Sequence, residues 1–81
     1  MTGWHVTTPR KLARYRTSGA IWPPVRFWLS KETAERWMQR VGRSIILRIE
    51  APEAFPMHDH RPHGMAWWSP NVVREFEPEP K

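Results

Sequence analysis

Two stretches of this chain are fenced at both ends, and the fences decide most of what it can fold into. Thr8-Pro9 opens a helix, because a Thr side chain can cap the first free N–H groups and Pro fits the first helical position. Ser18-Gly19 closes that helix, with Gly19 free to take the left-handed conformation that ends it. Between them Leu12 and Tyr15 face inward, while Arg10, Lys11, Arg14 and Arg16 take the remaining surface. The second fence runs from Ser30 to Gly42, with Glu32 in the first turn where a carboxylate suits the helix dipole. Inside it Ala34, Trp37, Met38 and Val41 fall at i, i+3, i+4 and i+7, one apolar stripe. Glu32 and Arg36 stand four apart on the wet side, at the spacing of an ion pair.

The segments around these helices alternate as strands do. In Trp4-His5-Val6-Thr7, Trp4 and Val6 share one face, and His5 and Thr7 the other. Val25, Phe27 and Leu29 oppose Arg26 and Trp28, and Ile45, Leu47 and Ile49 oppose Ile46 and Arg48. Ala20 to Pro24 is a connector, since Pro23-Pro24 cannot enter a central strand. Residues 51–64 have three prolines and no period, and read as a long loop. Met65 to Trp68 reads as a strand, Ser69-Pro70-Asn71 as a turn, Val72 to Phe76 as a last short strand, and residues 77–81 as a disordered tail. The order predicts a small single α+β domain over residues 1–76, with two helices packed on a mixed sheet of about five short strands. Leu12, Tyr15, Phe27, Leu29, Trp37, Met38, Val41, Ile45 and Leu47 are the expected core.

Composition narrows the function classes. A chain of 81 residues is near the lower limit for folding without staples, and it has no Cys to form them. Its six Trp offer large buried areas instead. No apolar run is long enough to span a bilayer, and Met1-Thr2-Gly3-Trp4 has no signal-peptide pattern. The expectation is a cytoplasmic protein with no membrane partner. The formal charge of +5 is unevenly spread. Residues 1–49 hold ten Lys/Arg against two Glu, and residues 50–81 hold three against six acids. A basic face that meets an anion is one reading of this asymmetry, and a solvated Arg-rich surface is the other.

Four groups of residues could carry chemistry. Arg10, Lys11, Arg14, Arg36, Arg40 and Arg43 form a basic set that could follow a phosphate backbone, with Trp nearby to stack bases. No helix-turn-helix accompanies them, because a strand and two prolines separate the helices. His58-Asp59-His60-Arg61-Pro62-His63 holds metal-ligand side chains, but Pro62 redirects the chain and structural zinc usually draws on separate elements. It reads as a titrating polar loop, and no metal site is assigned. Trp67-Trp68 places one indole inward and one outward on a strand, the outward one suited to a ligand pocket or to a homodimer contact. The fourth group is the strand end His5 and Thr7 together with Arg26, Trp28 and Ser30.

The run His5-Val6-Thr7, the helix closed by Gly19, the strand Phe27-Trp28-Leu29-Ser30 and the helix holding Ala34 resemble the front half of the ADP-ribosyltransferase-like fold. Trp68-Ser69-Pro70-Asn71-Val72-Val73 resembles its late strand pair. The resemblance implies NAD as the ligand, with a strand-borne His on the ribose and an aromatic strand against the nicotinamide. It also implies a late Glu that orients the ribose, and the matching Ala66-Trp67-Trp68-Ser69 has no acid. The reading is therefore a degenerate, binding-only cleft with no catalytic residue assigned and no required cofactor. His5 and Thr7 would hold a ribose or phosphate, Arg26 an anion and Trp28 a base, with Ser30 beside them. Two alternatives stand beside it: an adaptor for nucleic acid or acidic protein working through the Arg face, and a Trp-mediated interaction module.

Overall fold

The structure, a computed structural model, describes residues 1–57 and 66–79. The elements follow in the order β1 (Thr2–Thr7), α1 (Pro9–Ser18), β2 (Val25–Trp28), α2 (Lys31–Val41), β3 (Ile45–Glu50), β4 (Phe55–Met57), β5 (Ala66–Ser69) and β6 (Glu75–Pro78). They form one sheet in the order β4-β5-β2-β1-β3-β6. This is the α+β arrangement expected, with two helices. The pairing is antiparallel at every joint among the described residues, where a mixed sheet was expected. The reason lies in β1. It sits between β2 and β3 and runs against both, so those two strands are parallel to each other without touching. The parallel relation implied by strand–helix–strand is thus present, but split by β1, and α2 packs on β1, β2 and β3 as it crosses.

Both helix fences hold. Thr8 Oγ1 accepts from the Lys11 N–H, and Ser30 Oγ accepts from the Thr33 N–H. Gly19 and Gly42 take φ of 74° and 70°, the left-handed conformation that lets each helix stop. The Ser30 hydroxyl also donates to Glu32, and Arg36 donates to Thr33, so the expected Glu32–Arg36 ion pair gives way to capping bonds. Ser30→Ala should cost about 1 kcal/mol. A lower urea midpoint with an unchanged m-value would report it, and an unchanged midpoint would contradict the cap's role.

The strand alternation divides the core between the two faces of the sheet. One face carries Val25, Phe27, Leu47 and Ile49 with Leu12 of α1, and Tyr15 packs at its margin. The other carries Val6, Trp28, Ile46 and Ala66 under Ala34 of α2, with Trp37 and Met38 beside them. Leu29 and Val41, both expected in the core, are 44% and 40% exposed. Leu29 lies past the last residue of β2, where the pleat no longer turns it inward, and Val41 closes the last turn of α2 beyond the sheet.

The C-terminal region also differs from expectation. Val73 makes an isolated bridge to Ile21, and the strand begins only at Glu75. Glu77 and Pro78, assigned to a disordered tail, belong to β6, and the Glu79 N–H reaches the Ile46 carbonyl. Pro78 is tolerated there because β6 is an edge strand, where a missing N–H breaks no second ladder. Within the segment read as a loop, Phe55–Met57 forms the opposite edge, β4, against β5. No helix among the described residues is long and apolar enough to cross a membrane.

Candidate functional site

The site begins where β1 and β2 part. β1 pairs with β3 along its whole length, from Thr2↔Glu50 to Thr7↔Ile45, but its register with β2 is at Trp4↔Trp28. Beyond that point side chains take over as hydrogen-bond partners. The His5 imidazole Nδ1 meets the Arg26 carbonyl, and the Arg43 guanidinium donates to the Val6 carbonyl at 3.1 Å. A cleft of about 420 Å³ opens around these groups.

Its wall is built from several separate parts of the chain. His5 and Val6 come from β1, Lys11 and Tyr15 from α1, and Arg26 and Trp28 from β2. Trp37 and Val41 come from α2, and Arg43 follows directly after its Gly42 stop. Trp22 in the connector and Trp68 in β5 complete it, so four of the six tryptophans line one cleft. Trp28 and Trp37 lie with ring centroids 5.4 Å apart at 34°. Three cations, Lys11, Arg26 and Arg43, share the lining, and among the described residues no carboxylate does. Among the described residues none of the three is in an ion pair; the ion pairs join the N-terminus to Glu50, Lys31 to Glu79 and Arg48 to Glu77.

His5 has a defined role in this wall. A carbonyl can only accept, so Nδ1 carries the proton and donates to Arg26. Nε2 then accepts from the Tyr15 hydroxyl at 3.3 Å. Burial holds the His5 pKa below its ordinary value, and the Arg43, Lys11 and Arg26 charges push the same way against the carbonyl bond that raises it. Both ring nitrogens of neutral His5 are therefore committed inside the protein. His5, expected to hold a ribose, thus lines the cleft with its two ring nitrogens hydrogen-bonded to Arg26 and Tyr15.

Other expected site residues lie elsewhere. Thr7 is fully buried on the α1 face of β1 and does not line the cleft. Its hydroxyl has no hydrogen-bond partner among the described residues. Ser30 is the cap of α2 and is absent from the lining. Arg10, Arg36 and Arg40 are exposed on the helices and away from it. Arg14 lines an adjoining groove. The basic set is thus divided: Lys11 and Arg43 turn into the cleft, and the others face solvent or the groove. The tract His58 to His63 lies outside the described residues, and among those residues no cluster of His, Cys, Asp and Glu could hold a metal.

Sequence reasoning missed Trp22, Trp37, Tyr15 and Trp68 as parts of one site. Trp37 and Tyr15 sit on helical stripes that a core explains equally well. Trp22 carried the readable signal, an aromatic residue held in a connector by Pro23-Pro24.

The fold and site define a small α+β domain with a basic, tryptophan-lined cleft. No known protein family, curated protein or solved structure matches the chain.

Proposed function

We propose that this domain binds an anionic nucleotide in the cleft between β1 and β2. One observation carries the reading: three cations without carboxylate partners among the described residues share a cavity with four indoles. Cations left unpaired near apolar rings raise the local potential, and an arriving phosphate satisfies them. Trp22, Trp37 and Trp68 have accessible surface in this wall for a flat base to stack on, while Trp28, expected to hold the base, is 1% exposed and backs Trp37 from the core. Among the described residues the lining has no carboxylate or free imidazole to act as acid or base, and the reading is one of binding. The ADP-ribosyltransferase resemblance makes NAD the dinucleotide to test first.

Titration with AMP and with NAD should shift the indole resonances of Trp28, Trp37 and Trp68. Arg26→Gln, at an exposed position, should weaken AMP binding about tenfold through the loss of a charge-assisted bond. Unmoved indole signals at millimolar AMP and NAD would sink the proposal. NAD binding no tighter than AMP would remove the NAD reading and leave the nucleotide cleft.

A further inference from the structure

Beside the cleft lies a second groove of about 380 Å³, lined by Lys11, Arg14, Tyr15, Ser18 and Trp22. Lys11, Tyr15 and Trp22 line both, so the two are one continuous surface that bends around these three side chains. Trp22 is 64% exposed at that bend. An indole left so exposed contributes little to the core, and the two prolines after it restrict the backbone that carries it.

Resting on the nucleotide reading of the cleft, we propose that the natural ligand is a short stretch of single-stranded nucleic acid that passes from the cleft over Trp22 into the second groove. Three features favour a strand over a single nucleotide. Cations continue past the cleft, with Arg14 joining Lys11, Arg26 and Arg43, so there is charge for more than one phosphate. Aromatic rings share both linings with those cations, as single-strand sites require, because each unstacked base needs a face and each linkage a charge. Among the described residues neither lining contains a carboxylate that would repel the backbone. A duplex keeps its base faces stacked inside and offers nothing for Trp22 or Trp68 to stack on. An acidic peptide would use the cations but not the indole faces.

Fluorescence anisotropy on the full chain tests this with labelled oligouridylate and oligothymidylate of one, two, four and eight nucleotides. Affinity should rise at least tenfold from the mononucleotide to the tetranucleotide, and the salt dependence should steepen as more phosphates are engaged. The RNA and DNA series distinguish the two sources of the strand. Trp22→Ala and Arg14→Gln both alter exposed side chains, so the fold should persist. Arg14→Gln, outside the cleft lining, should abolish the gain with length and leave mononucleotide binding unchanged, whereas Trp22→Ala, at a residue that lines both, should weaken mononucleotide and oligonucleotide alike, the longer ones most. Mononucleotide binding with no gain on lengthening would overturn this inference and leave the nucleotide cleft standing. Absence of binding to every probe would remove both. Equal affinity for inorganic polyphosphate or for duplex DNA, insensitive to Trp22→Ala, would also overturn it, since neither offers a base to stack.

Discussion

Gly3→Ala should destabilise the protein by about 1–3 kcal/mol, the usual cost of forcing extra atoms into a packed core. Gly3 lies in β1 opposite Ile49, and the Phe27 ring covers it. A Cβ at Gly3 would stand 2.1 Å from Phe27 Cδ2 and 2.7 Å from Cε2, well inside any tolerable contact. The ring cannot swing aside. It has no exposed surface, and Val25, Leu47, Ile49 and Ala51 are buried in the same cluster. For a domain of this size such a loss lowers Tm by roughly 5–20 °C. Phe27→Leu in the Gly3→Ala background should cost less than Phe27→Leu alone, because the smaller side chain relieves the clash. A Gly3→Ala protein melting with the wild type would show that the backbone, and not the ring, yields. Gly19→Ala provides the contrast: nothing lies within 4 Å of a Cβ there, and the cost comes only from the positive φ.

The second large effect is acid destabilisation through His5. In the unfolded chain His5 titrates near its ordinary value of 6.5, and in the folded domain burial and three nearby cations hold it lower. Between those two values the unfolded state binds the extra proton, so stability falls as pH drops below 6.5 and levels off below the folded value. The limiting slope is about 1.4 kcal/mol per pH unit. The lowered carboxyls of Glu32 and Glu50 act in a separate window, below their ordinary 4.5, where their favourable hydrogen bonds are lost on protonation. Urea midpoints at pH 8, 7, 6 and 5 should therefore decline before the carboxylates titrate. His5→Asn, whose amide can replace the Nδ1 donor to the Arg26 carbonyl, should flatten the curve between pH 7 and 5. A variant as acid-sensitive as the wild type would place the proton elsewhere.

The same proton bears on the cleft. His5 joins β1 to the Arg26 backbone and accepts from Tyr15, so protonation removes the acceptor and sets a fourth positive charge among Lys11, Arg26 and Arg43.

Local chemistry is where the sequence was most legible. Caps, stops and strand faces depend on neighbours in the chain: Thr8 and Ser30 start helices because of the N–H groups that follow them, and Phe27 faces Leu47 and not Trp28 because the pleat alternates. Arg26 and Trp28 on a shared strand face were legible for the same reason, but that Arg26 is exposed while Trp28 is buried in the core was not. Ser30 and Thr7 show the limit. A hydroxyl at a strand end suits a cap, a buried contact or a ligand equally well, and only packing distinguishes them.

By itself the sequence determined the two helices, the faces of β1, β2 and β3 and the excess of positive charge in the first half. Each follows from spacing within one element. Tertiary structure alone decided that β1 lies between β2 and β3, so that every joint of the described sheet is antiparallel. It also decided that Lys11, Arg26 and Arg43, far apart along the chain, share one cavity with Trp22, Trp28, Trp37 and Trp68. The physical reason is the parting of β1 from β2: the place where ladder bonds give way to His5 and Arg43 is a property of two strands together, and no single stretch of residues encodes it.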